Sequence, residues 1–185
     1  MRVFFKEACM LNHVYISEES EQAIHRITGI NGYSQSLNCV YICCMSTLIE
    51  RMLDLSFPPD MCAQFALRCG VTEENGLPML SAAVAGRFSL RHTECEQENA
   101  LAQIAAGAKG IVRMTLPAEE KQRYYLIDQV KKTGIYMINP SLQQAKGIPR
   151  SKKRLIQIKD GYMIVPKDVY VTLCPENAQY FVFSQ

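Results

Sequence analysis

Asn38-Cys39-Val40-Tyr41-Ile42-Cys43-Cys44-Met45-Ser46-Thr47-Leu48-Ile49-Glu50-Arg51-Met52-Leu53 is the stretch on which the fold reading turns. Ile42, Met45, Ile49, Met52 and Leu53 recur at three and four residues, the period of one buried helical face. Asn38 is a good N-cap, so the spacing predicts a helix over 38–53 with Cys39 in its first turn. A thiol there is favoured as thiolate, because the helix dipole and the unpaired N–H groups of the first turn attract negative charge.

Upstream, Ser17–Ser20 supplies cap residues for a short helix over Glu21–Ile27, and the Gly-, Asn- and Ser-rich Ile30–Leu37 reads as irregular backbone. Residues 1–16 hold a possible strand. Downstream, two prolines in Ser56–Asp60 stop the central helix. A second helix starts at Pro59 or Asp60 and closes at Gly70. A third runs from Pro78 to about Ala85, with Leu80, Ala83 and Val84 inward. The pattern then changes: a strand over Phe88–Arg91, a helix over Glu96–Ala106, and an alternating strand over Gly110–Leu116. Arg123–Val130 and Gly134–Ile138 read as an antiparallel pair. Leu155–Ile158, Tyr162–Val165, Val169–Leu173 and Tyr180–Phe183 read as further strands. Helices followed by a run of antiparallel strands predict an α+β fold.

The chain of 185 residues is expected to be a single domain, with 48% apolar residues to build its core. A net charge of +2 gives no reason to expect nucleic acid. No apolar run approaches the roughly 20 residues that span a bilayer, and the first residues do not read as a secretory signal. Of the eight cysteines, Cys43, Cys44, Cys62 and Cys69 sit on apolar helix patterns, as small core residues do, which points to a reducing cytosol. No C-x-x-C pair occurs, and His13, His25 and His92 lack ligand spacing, so neither a metal nor a cofactor is expected.

A nucleophilic Cys39 needs oxyanion donors, which its own N–H and the side chain of Gln35 or Asn38 can supply. It also needs a base oriented by a third group. The plainer readings are an ordinary small helix residue at Cys39, a solvated strand-start arginine at Arg123 and a turn residue at Asn139 before Pro140.

Ser34-Gln35-Ser36-Leu37-Asn38-Cys39 with its apolar helix resembles the nucleophile segment of the papain-like fold, in particular the bacteriocin-processing peptidase domains. Asn38-Cys39-Val40-Tyr41-Ile42-Cys43 is also similar to papain-fold bacterial toxins and secreted effectors, some of which deamidate glutamine in host proteins. In those families a strand of the type His-Tyr-aliphatic-aliphatic follows, then a Gly turn and aromatic-aliphatic-Asp-Pro. This chain has Arg123-Tyr124-Tyr125-Leu126-Ile127 and Gly134-Ile135-Tyr136-Met137-Ile138-Asn139-Pro140. The gaps are 84 positions from Cys39 to Arg123 and 16 more to Asn139, and the likeness covers residues 30–145.

The resemblance implies a papain-like fold with helices packed on an antiparallel sheet, and a cleft lined by Cys39, Arg123 and Asn139 with Gln35 at its edge. It departs from the family at three places. Arg123 stands where the histidine belongs, Val40 replaces the usual glycine, and Gln35 lies four residues before Cys39, nearer than usual. A guanidinium stays protonated and has no acceptor atom, so it cannot be the base. General acid–base catalysis is typically worth about 10²–10⁴-fold, so its loss leaves at best a slow enzyme.

The reading that follows is a degenerate cysteine-peptidase-like module of effector or toxin type, in a bacterial or host cytosol, that binds a protein or peptide in its ancestral cleft. The alternative is an active cysteine hydrolase, peptidase or glutamine deamidase, with Cys39 as nucleophile and a base from His92 or a partner chain. A third is an α+β protein unrelated to papain. Lys146–Arg154, with five basic residues around Gly147 and Pro149, is a solvated loop or a contact for an acidic partner or anionic membrane surface. It has no interleaved aromatics, so it does not read as a groove for single-stranded nucleic acid.

Overall fold

The computed structural model describes residues 39–72, 76–115, 122–138, 156–159, 161–174 and 177–185. Three helices come first: α1 (Cys39–Leu53), α2 (Pro59–Arg68) and α3 (Gly76–Phe88). Then come β1 (Arg91–Cys95), α4 (Gln97–Ala105), β2 (Lys109–Thr115), β3 (Gln122–Lys131) and β4 (Gly134–Ile138). The chain ends with β5 (Gln157–Lys159), β6 (Tyr162–Val165), α5 (Lys167–Leu173) and β7 (Gln179–Ser184). The strands form one sheet in the order β1-β7-β2-β3-β4-β6-β5, every pair antiparallel. The fold is α+β, and β5 to β7 belong to the same sheet as β2 to β4.

Period-two alternation divides the sheet into two faces. Ile111, Tyr124, Leu126, Ile138, Phe181 and Phe183 pack with α1, α2 and α3. Val112, Tyr125, Ile127, Met137, Tyr180 and Val182 pack on the opposite face with residues of α4 and α5.

The central helix is more deeply enclosed than its one-sided spacing predicts. Every residue from Tyr41 to Ile49 is buried, because the sheet lies on one side of α1 and α2 and α3 cover the rest. Each of Ile42, Met45, Leu48 and Ile49 then contributes about 1.5–3 kcal/mol of apolar burial. The polar residues of this stretch are satisfied locally. The Ser46 hydroxyl donates to the Phe57 carbonyl at 2.7 Å and the Thr47 hydroxyl to the Cys43 carbonyl at 2.8 Å.

Two elements differ from expectation. The helix expected to stop near Ala85 continues to Phe88, where the strand was expected to begin. Ser89 then takes a left-handed φ of 56° and the Leu90 N–H returns to the Ala85 carbonyl at 3.0 Å. The strand therefore starts at Arg91 and includes His92. Val169–Leu173 lies in a helix, not a strand. Pro166 precedes it, Asp168 sits in its first turn, and the Tyr170 N–H donates to the Pro166 carbonyl at 2.8 Å. Burial of Val169 and Tyr170 beneath that helix overrides their β-branched and aromatic preference.

Gly134 opens β4 at φ 148°, and a Cβ there would sit 2.6 Å from the Val165 carbonyl oxygen of β6. Only glycine lets these two strands approach so closely.

Candidate functional site

Two anchors fix how α1 lies on the sheet. Near its start, the Tyr41 ring meets the Tyr124 ring of β3 with centroids 5.5 Å apart. Near its end, the Arg51 guanidinium donates to the Tyr162 hydroxyl at 2.6 Å and lies 3.5 Å from the Asp128 carboxylate. From Tyr41 to Arg51 is about 15 Å of helix and from Tyr124 to Asp128 about 14 Å of strand, so α1 runs alongside β3 in the same direction. Its first turn is thus set at the beginning of β3.

Cys39 is the first residue of α1 and Arg123 the second of β3, two residues and one residue from the paired tyrosines. Ile138, the last residue of β4, pairs with Leu126 of β3. The backbone segments that carry Cys39 and Arg123, and the strand end that precedes Asn139, therefore converge on one end of the sheet. Gln35, Asn139 and Lys146–Arg154 lie outside the described residues, as do the expected helix over Glu21–Ile27 and the possible strand in residues 1–16.

A guanidinium that the spacing did not single out stands at this end on the α1 face of the sheet. Arg113 of β2 is paired in register with Tyr124, donates to the Gln179 side chain, and lies 5.9 Å over the Phe181 ring. Burial pushes the Tyr124 hydroxyl above its ordinary pKa, while the charge and hydrogen bonding of Arg113 pull the other way.

The second anchor is a buried carboxylate. Asp128 is 2% exposed and sits where the β3–β4 register shifts between Ile127 and Gln129. Lys109 donates to it at 2.5 Å, the Tyr162 hydroxyl at 2.7 Å and the Gln129 amide at 3.0 Å. Burial alone would raise the Asp128 pKa, but the Lys109 and Tyr162 hydrogen bonds and the Lys109 and Arg51 charges outweigh it and hold the pKa low. Burial and the same carboxylate push Tyr162 up to about 12. This cluster anchors the end of α1 on the sheet.

His92 does not join the Cys39 end. It pairs with Phe183, which pairs with Lys109, level with the Asp128 end of β3. Three strand spacings and five residues of register separate it from Arg123, about 14 Å across the sheet and about 17 Å along it. Its ring instead packs beside Phe181 and Phe183, and its Nε2 has no hydrogen-bond partner among the described residues. Burial lowers its pKa, and Glu94 partly opposes that. As a base for Cys39 it is out of reach.

Cys43, Cys44 and Cys62 are buried, and burial pushes the Cys62 thiol far up, so it is inert as a nucleophile. Across the sheet, the Tyr180 hydroxyl lies 2.8 Å from the Cys174 sulfur and 3.0 Å from the Tyr170 hydroxyl, and donates to Gln97 at 3.3 Å. Burial raises the pKa values of both tyrosines and of Cys174, so this cluster stays neutral near pH 7.

Among the described residues, no group of three or more His, Cys, Asp or Glu side chains is arranged to hold a metal ion. Nor, among them, is any helix long and apolar enough to cross a membrane. No family model matches the chain, and no curated protein matches it.

Proposed function

We propose that this chain is a papain-like, cysteine-peptidase-type module that has lost its catalytic base and uses the groove at the start of α1 to bind a protein or peptide segment. The observation that carries the proposal is the Tyr41–Tyr124 ring contact, which sets the helix turn bearing Cys39 beside the strand start bearing Arg123. A helix N-terminus suits a ligand that presents a carbonyl or carboxylate oxygen. Arg113 puts a positive group on the α1 face of that end. The effector or toxin setting, in a bacterial or host cytosol, belongs to the same proposal, as does an acidic partner for Lys146–Arg154.

The test is the reactivity of Cys39 itself, read by peptide-resolved mass spectrometry after timed iodoacetamide labelling from pH 5 to 9. A binding module gives a labelling rate that climbs with an ordinary thiol pKa near 8.5, and no turnover of peptide or glutamine substrates. A pH-independent fast rate together with turnover that Cys39→Ala abolishes would replace it with the hydrolase reading. Arg123→His supplies the second arm: hydrolysis gained by this variant supports a decayed catalytic site. Unchanged inactivity, with unchanged Cys39 labelling, counts against the assignment.

A further inference from the structure

A second surface lies past the C-terminal end of α1, about 20 Å of helix away from Cys39. The α1–α2 connection, α2 and the end of α3 enclose an open groove of about 510 Å³. Its floor is aromatic: Phe57 meets Phe65 edge-on at 6.2 Å and Phe88 at 5.3 Å. Leu55 and Met61 form its lip at 48% and 52% exposure, the most exposed large apolar residues described in the α1–α3 layer. A methionine on such a lip adapts its shape to a partner side chain.

The charged residues that line this groove are both cationic, while Glu50 accepts from the Phe57 N–H at 3.4 Å and Asp54 and Asp60 adjoin its Leu55–Met61 lip. Arg68 and Arg87 line it and are both exposed, and none of its described lining residues is acidic. The Arg68 Nε donates to the Gln64 carbonyl at 3.3 Å, which steadies its guanidinium on the rim. Arg68 and Arg87 stand on the α2–α3 side of the groove, across from the acidic residues of the α1–α2 connection, and form its cationic side. That side rejects basic segments and favours carboxylates placed beside an apolar anchor.

We propose that this groove docks an acidic, amphipathic segment of a partner protein. One large apolar side chain enters the Phe57–Phe65–Phe88 floor while flanking Asp or Glu residues meet Arg68 and Arg87. The site is independent of the groove at Cys39, and nothing in it requires that reading to hold.

The experiment uses the full chain and two fluorescein-labelled peptides, Asp-Glu-Leu-Phe-Glu-Asp-Leu-Leu-Glu and the same peptide with Lys at every acidic position. Binding is followed by fluorescence anisotropy at low and high salt. The acidic peptide is expected to bind at least about tenfold more tightly than the basic one and to weaken with salt. Arg68→Glu combined with Arg87→Glu should lower its affinity at least about tenfold, as should Met61→Asp; these exposed positions leave the melting curve as a check on folding. Equal binding of the two peptides, no binding of either, or indifference to the charge reversal overturns the proposal. So does a dimer in sedimentation that Met61→Asp dissociates, since the groove would then be occupied by a second copy.

Discussion

The two faces of the sheet are both apolar, but they dispose of their polar groups in opposite ways. Under α1 the sheet holds a charged centre, Asp128 with Lys109 and Arg51, joined by the Tyr162 hydroxyl. Under α4 and α5 it holds a neutral one, the hydroxyls of Tyr170 and Tyr180 with the Cys174 sulfur and Gln97. Ion pairs and their hydrogen bonds are directional and costly to leave incomplete, so the first arrangement fixes the direction of a helix. The second fills a core and satisfies its own donors. The lesson is that the lie of α1, and with it the turn that carries Cys39, depends on a charged anchor at the far end of the helix as well as on the Tyr41–Tyr124 contact at the near end.

The sharpest way to break that contrast is Asp128→Ala, which strands Lys109 beside the sheet and releases Arg51. Removing one partner of a buried pair costs about 3 kcal/mol, and a urea unfolding curve should show a loss of that order. A loss under about 1 kcal/mol would mean the carboxylate does not hold α1. Because the Asp128 pKa is held below its unfolded value, this contribution is present at neutral pH. It is lost only as acid takes the pH through the carboxylate range, below about 3.9.

Tyr180→Phe makes the corresponding cut on the neutral face. It keeps the ring, removes the shared hydroxyl, and should cost about 1 kcal/mol in the same measurement. Arg51→Met should cost less than Asp128→Ala, under about 1 kcal/mol, because the guanidinium is 39% exposed and screened by solvent. A double-mutant cycle of Arg51 with Asp128 checks that their coupling is the smaller part of the anchor.

The mildest effect belongs to His92, whose pKa is depressed in the folded chain. Its neutral ring contributes fully above about pH 6.5, and that contribution fades as the pH falls toward the lowered folded value. Thermal melts at pH 7 and pH 5 should therefore differ more for the wild type than for His92→Phe. An equal pH response in the two proteins would show that the ring between Phe181 and Phe183 carries no such linkage.

What the sequence disclosed follows from how local each signal is. The α1 helix was legible because its apolar spacing and the prolines after it act over a few residues, and the β3–β4 pair because both strands are rich in aliphatic and aromatic residues around a Gly turn. The extra turn of α3 was hidden because its cap is Ser89 in a conformation that glycine usually marks. The α5 helix was hidden because Val169-Tyr170-Val171-Thr172 has strand-like composition, although Pro166 and Asp168 offered a start signal. Asp128 was invisible for a different reason. Within Leu126-Ile127-Asp128-Gln129-Val130 it reads as an ordinary polar strand residue, and its partners come from positions 51, 109 and 162. Of the proposed cleft, spacing supplied Cys39, Arg123 and Asn139 but gave no reason to select Arg113, which depends on the β2–β3 register.

The threading of β7 between β1 and β2 bears on how the chain assembles. β1 has no partner until β7, more than about 80 residues on, arrives, and β2, though paired with β3, keeps its other edge open until the same strand about 70 residues on. Closing such long loops before any pairing energy is gained slows folding and leaves unpaired strand borders open to intermolecular association meanwhile. Shortening the chain ahead of Gln179 would remove an inner strand, not trim a tail, and refolding yield should collapse accordingly.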